Sequence, residues 1–172
     1  MASNAVFLKE NVGERSTPPR SARAGPLLEE VQKAHKRANI LLVEDEQDLR
    51  ETIRFFLVDK ANVIEAVDGQ KALDFILGQR NTVNLIITDI QMRGMEGPQF
   101  LAEIRKSGHH IPAIIMSGKV MLKEDYATIN ALGANIVFIP KPFDAETLLK
   151  EVNRLLVVAE QIFNESFERF VV

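Results

Sequence analysis

Four short apolar runs in this sequence each end on residues that can do chemistry. Ile40-Leu41-Leu42-Val43 runs into Glu44-Asp45-Glu46, and Leu85-Ile86-Ile87-Thr88 runs into Asp89. The run from Pro112 to Met116 meets Ser117-Gly118, and Ile136 to Ile139 leads through Pro140 to Lys141-Pro142. Three carboxylates brought together repel one another unless a cation sits among them, and a hard divalent ion such as Mg2+ is the natural occupant of an all-oxygen site. An aspartate can attack phosphorus to give an aspartyl phosphate. An ammonium and a hydroxyl can then bind the phosphoryl oxygens. On its own stretch, Asp89 reads equally well as a residue that caps a turn.

The elements that must position these groups follow from periodicity. Short apolar runs predict strands at 40–43, 63–67, 85–88, 112–116 and 136–139, and the one at 85–88, bounded by turn residues, reads as buried on both faces. Between and after them, apolar residues recur at helical spacing. Leu49, Ile53, Phe56 and Leu57 mark one helix, ending near Asp59, and Ala72, Leu73, Ile76 and Leu77 mark another over 69–78. Phe100, Leu101 and Ile104 mark a third over 98–106. A weaker helix over 123–132 carries Tyr126, Ile129 and Leu132 and stops at Gly133. The last helix begins near Asp144, a good N-cap, with Leu148, Leu149, Val152, Leu155 and Leu156 on one face. Five strand–helix units in about 120 residues predict a parallel sheet with helices on both faces, and no other internal repeat is present. In such a sheet ligands bind outside the carboxyl ends of the strands, so the four run ends share one crevice.

Composition bounds the rest. The chain has 172 residues, 46% hydrophobic and 26% charged, enough for one soluble domain with a sizeable core and extra segments. It has no cysteine, which excludes disulfides, thiolate metal sites and thiol catalysis. No run approaches the ~18 apolar residues of a membrane span, and no signal-peptide core opens the chain, so a cytoplasmic location without membrane contact is expected. The net charge of −3 conceals an asymmetry, with residues 1–38 basic and the remainder acidic, which argues against nucleic-acid binding by the main domain. Residues 1–26 read as an irregular arm, and 27–38 as a short accessory helix with Leu27, Leu28, Val31, Ala34 and His35 on one face.

Taken together, Val43-Glu44-Asp45-Glu46, Ile87-Thr88-Asp89 with Met95-Glu96-Gly97, Met116-Ser117-Gly118 and Lys141-Pro142-Phe143 resemble the receiver domain of bacterial two-component response regulators, of the chemotaxis-regulator type. The resemblance covers 39–158. It implies a flavodoxin-like, doubly wound (βα)5 fold with a five-stranded parallel sheet in the order 2-1-3-4-5. By the same resemblance Asp89 is the phosphoacceptor. Glu44 and Asp45 are the acidic pair that holds Mg2+ with Asp89 and the backbone carbonyl of Gln91. Ser117 is the hydroxyl that turns toward the phosphoryl group, Lys141 the lysine that binds it, and Phe138 the aromatic switch. The Lys141–Pro142 peptide matches one that is usually cis. Gln91 and Lys119 fall at positions that tune phosphoryl lifetime. Two residues depart from the commoner pattern. Glu44 stands where Asp is frequent, which points to a less direct metal contact, and Arg93 replaces a frequent Pro and brings positive charge near the site.

The implied function is that of a non-enzymatic signalling module. A histidine kinase or His phosphotransfer protein donates the phosphoryl group, and the face made by helix four, strand five and helix five then contacts a downstream protein target. A phosphorylation-independent interaction module on the same fold is the alternative. An aspartyl-phosphate phosphohydrolase fits less well, because Ile90 and Gln91 follow Asp89 where such enzymes need an acid two residues on. His109-His110 reads as a solvated loop rather than a metal pair. From Ala145 to Val172 there is no Gly or Pro, and Leu155, Leu156, Ala159, Ile162, Phe163, Phe167, Phe170 and Val171 continue the helical stripe. Residues 159–172 are therefore expected to extend the last helix and to pair with a partner, another copy of the chain in a homodimer, or the helix at 27–38.

Overall fold

The computed structural model describes residues 37–78 and 83–168. The irregular arm and all but Arg37 and Ala38 of the expected accessory helix lie outside the described residues, and those two are not helical. Five strand–helix units follow in order: β1 (Asn39–Val43), α1 (Gln47–Leu57), β2 (Asn62–Ala66), α2 (Gly69–Gly78), β3 (Leu85–Asp89), α3 (Gly97–Lys106), β4 (Ala113–Ser117), α4 (Lys123–Ala131), β5 (Ile136–Pro140) and α5 (Ala145–Glu168). All strand pairs are parallel, and the sheet order is β2-β1-β3-β4-β5.

Alternation along the strands sorts the core into two layers. Leu41, Val43, Ile86 and Ile115 face Ala72 and Ile76 of α2, Phe100, Leu101 and Ile104 of α3, and Ile129 of α4. Ile40, Leu42, Ile87 and Ile114 face Ile53 and Leu57 of α1 and Leu148, Val152 and Leu155 of α5. Right-handed crossovers require this partition. The chain steps from β1 out to β2 in one direction and then from β3 to β5 in the other, so α1 and α5 fall on one face and α2, α3 and α4 on the other. Buried on both faces, β3 and β4 are apolar almost throughout, whereas the edge strands β2 and β5 are partly exposed.

Helix ends show why these segments stop where they do. The Asp144 carboxylate accepts the Thr147 N–H at 2.8 Å and caps α5, which places Asp144 below the ordinary carboxylate pKa. The Asp125 carboxylate does the same for the Leu122 N–H at 2.9 Å, at the start of α4. Gly133, at φ +107°, closes the turn after α4. Arg105 at the end of α3 donates to the carbonyls of His109, Ile111 and Leu132, which staples α3 to the end of α4. His109 and His110 lie between α3 and β4, before the strand begins, and so at the opposite edge of the sheet from the strand ends discussed below.

Candidate functional site

The ladder register brings the site together. Val43 pairs with Thr88, Asp89 with Met116, and Ser117 with Pro140. Glu44, Asp89, Ser117 and Lys141 thus arrive at one edge of four adjacent strands, and the Lys141 N–H donates to the Ser117 carbonyl at 2.7 Å. Asp89 and Ser117 are the last paired residues of β3 and β4, one position deeper than their apolar runs indicate. Thr88 and Asp89 are both buried.

Lys141 spans the crevice. Its Nζ is 2.7 Å from Asp89 Oδ2 and 3.0 Å from Glu44 Oε2. Two strand spacings, about 10 Å, separate β5 from β3, so only a long side chain can make this reach. Burial acts to lower the Lys141 pKa, but the hydrogen bonds and attraction from Asp89 and Glu44 together outweigh it and raise it. Glu44 is 1% exposed, and burial pushes its carboxyl up despite Lys141. Its other oxygen accepts the Glu46 N–H at 3.2 Å. Glu44, standing where aspartate is commoner, meets Lys141 across β3 and β4. The Lys141–Pro142 peptide is cis.

Asp45 is held differently. Its Oδ2 accepts both the backbone N–H and the Nε–H of Arg93 at 3.3 Å, so the loop after β3 is tied to the loop after β1. Gln91 is exposed on that same loop. Ser117 is buried, with its hydroxyl bonded within its own loop: Oγ accepts the Lys119 N–H at 3.1 Å. Lys119 points away from the carboxylates, with Nζ 3.0 Å from Asp125 Oδ1 on α4. Phe138 is partly buried and stands edge-on to Tyr126, with ring centroids 5.9 Å apart.

The donor set Glu44, Asp45, Asp89 and the Gln91 carbonyl fits a hard divalent cation in chemistry and charge, being all oxygen and negative in sum. It is not drawn together as a finished cage. Among the described residues no three His, Cys, Asp or Glu side chains form a group able to hold a metal ion. Cations of the chain itself rest on these carboxylates, Arg93 on Asp45 and Lys141 on Glu44 and Asp89.

Two contributors, Gly97 and Arg50, have structural roles that the sequence reading does not assign. A Cβ on Gly97 would lie 2.1 Å from the Asp89 carbonyl oxygen and 2.9 Å from Thr88 Oγ1. Glycine there lets α3 begin directly against the backbone of Asp89. Arg50 donates to the Glu44 carbonyl at 2.8 Å and pairs with Glu65, so it buttresses the acidic turn.

These features define a flavodoxin-like α/β domain with an acidic site at the carboxyl edge of its sheet. The response regulator receiver domain model matches residues 40–153, and this chain belongs to that family. Response regulator MprA of Mycolicibacterium vanbaalenii is 31% identical over 118 residues, 68% of this chain and 49% of that protein. Response regulator protein FleR of Pseudomonas aeruginosa is 33% identical over 117 residues, 68% of this chain and 24% of that protein. The chain therefore spans half or less of the length of these relatives. Among solved structures, the chemotaxis protein CheY4 of Vibrio cholerae aligns with a TM-score of 0.62 at 30% identity, covering 69% of this chain and 98% of that one. Receiver domains are signalling modules of two-component systems that typically have no enzymatic output, bind Mg2+ for phosphorylation, and work with histidine kinases and downstream targets. No helix among the described residues is long and apolar enough to cross a membrane.

Proposed function

We propose that Asp89 is the phosphoacceptor of this receiver, loaded from a phosphohistidine of a histidine kinase or His phosphotransfer protein. An Asp89 carboxylate oxygen attacks phosphorus, the P–N bond to the donor imidazole breaks, and that imidazole leaves with its electron pair. The observation that carries this reading is the Lys141 ammonium 2.7 Å from Asp89 Oδ2. It stands beside the reacting carboxylate, where it can follow charge onto the phosphoryl oxygens. Glu44, Asp45, Asp89 and the Gln91 carbonyl would hold Mg2+, which when bound neutralises charge on the phosphoryl group. Gln91 and Lys119 follow Asp89 and Ser117 at the positions that tune the lifetime of the acyl phosphate in the receivers this chain resembles, and Lys119 would have to leave Asp125 to act there.

Loading Asp89 adds charge and acceptor oxygens at the strand edge. Ser117 then leaves the Lys119 N–H for the phosphoryl group, and Phe138 leaves its edge-on contact with Tyr126 to follow. An aromatic pair of this kind is worth about 0.5–1.5 kcal/mol, a loss that charge-assisted hydrogen bonds to the phosphoryl group can offset. The face of α4, β5 and α5 changes with that choice and presents a different surface to the downstream target. Incubation with acetyl phosphate and Mg2+ should load the wild type and leave Asp89→Asn unlabelled; persistent labelling of that variant rejects Asp89.

The length of α5 favours a second role beside the first. The helix continues to Glu168, past Ala159, which is still buried against the domain. With the apolar sequence stripe that follows, this supports pairing of two copies through their C-terminal helices.

A further inference from the structure

Arg93 occupies a position that the phosphorylation chemistry above does not use. It follows β3, and Gly94 at φ +80° turns the chain immediately after it. A side chain at Gly94 would meet open space, so backbone geometry is what calls for glycine there. The turn brings the Arg93 backbone N–H and side-chain Nε–H onto a single oxygen, Asp45 Oδ2, each at 3.3 Å. Among the described residues, Lys141 is paired with Glu44 and Asp89, Lys119 with Asp125, and Arg50 with Glu65. The Arg93 side chain is 89% exposed and can swing into solvent without leaving a buried cavity.

We propose that Arg93 is a built-in competitor of the divalent cation at Asp45, a latch that must open before the metal is bound. This rests on the reading of Asp45 as a metal donor. One carboxylate oxygen cannot serve a guanidinium and a small divalent ion at full strength together, because the two cations repel and Mg2+ demands near-ideal octahedral geometry at about 2.0–2.1 Å. The latch raises the Mg2+ concentration at which the site fills. Its opening also releases a guanidinium at the mouth of the site, tied to metal occupancy through the backbone of the loop after β3. The effect is graded, since an exposed ion pair is weak. Removing it should tighten Mg2+ binding about two- to five-fold.

Isothermal titration calorimetry with MgCl2 tests this on wild type and Arg93→Ala, because with no Trp and one Tyr the chain has no fluorophore at the site. The Arg93 Nε–H signal in an NMR titration, assigned by its loss in Arg93→Lys, gives a readout independent of phosphorylation. A two- to five-fold lower Kd in Arg93→Ala, with the Nε–H signal shifting in step with metal occupancy, supports the latch. An unchanged or higher Kd in Arg93→Ala, or an Nε–H signal that stays fixed while the wild type saturates, overturns the latch and leaves the metal site standing. Absence of Mg2+ binding by both proteins removes the metal site and the latch together, whereas Asp89 is judged separately by acetyl phosphate labelling.

Discussion

Lys141 and Asp89 meet at 2.7 Å although 52 residues separate them, and the same ammonium reaches Glu44 at 3.0 Å. One cation therefore neutralises carboxylates at the ends of two other strands, and its removal leaves both without it. Lys141→Ala should destabilise the fold at neutral pH by about 1–3 kcal/mol, below the roughly 3–5 kcal/mol of a fully buried broken pair, because Lys141 keeps partial solvent access and Glu44 can take up a proton. The Lys141 pKa is raised in the folded state, so its contribution is complete below the ordinary lysine value of 10.5 and is lost as pH rises through the higher folded value. Urea unfolding of wild type and variant should give a stability gap that is wide at pH 7 and closes in strong alkali. A gap that stays constant into alkali would refute the bridge as its source. The same variant should also lack the phosphorylation-linked change at Phe138.

Glu44 titrates on the acid side. Burial raises its folded pKa above 4.5, so the stability it contributes is complete below 4.5 and is lost as pH climbs through the folded value. The unfolding free energy of wild type minus that of Glu44→Gln should be larger at pH 4 than at pH 7. The opposite trend would mean that the Lys141 attraction, not burial, governs this carboxyl.

Gly97 shapes the site without chemistry of its own. In Gly97→Ala the new methyl meets the Asp89 carbonyl, and either α3 or the end of β3 must shift. The expected cost is about 1–3 kcal/mol by overpacking, with slower acetyl phosphate labelling of Asp89. Chemical denaturation together with labelling rates checks both; full stability at a wild-type rate would show that the contact relaxes freely.

The C-terminal helix can be tested by size. A chain ending at Val158 should sediment as a monomer, and the full chain at twice the mass of a monomer. Equal monomer mass for both would remove the homodimer.

Much of this molecule is legible in one dimension because hydrophobic burial imposes a period. Ile40–Val43 and Leu85–Thr88 read as strands since both faces of a central parallel strand are covered, and Ile53, Leu57, Phe100 and Ile104 read as helix since one stripe must be. The two-layer core and the five alternating units follow from that pattern. Strand bounds shift by about a residue where the ladder, not hydrophobicity, ends the strand. That is why polar Asp89 and Ser117 belong to β3 and β4.

By itself the sequence determines which residue types stand at the strand ends, and so the kind of chemistry available there. Only the tertiary structure decides how those groups are paired. Lys141 bridging Asp89 and Glu44, Arg93 seated on Asp45 and Lys119 drawn away to Asp125 depend on register, strand order and loop direction. The physical reason is that Coulombic and hydrogen-bond energies act over a few ångströms in space, with no regard to separation along the chain. A period in the sequence can announce a buried face, but no local pattern encodes which cation will rest on which carboxylate.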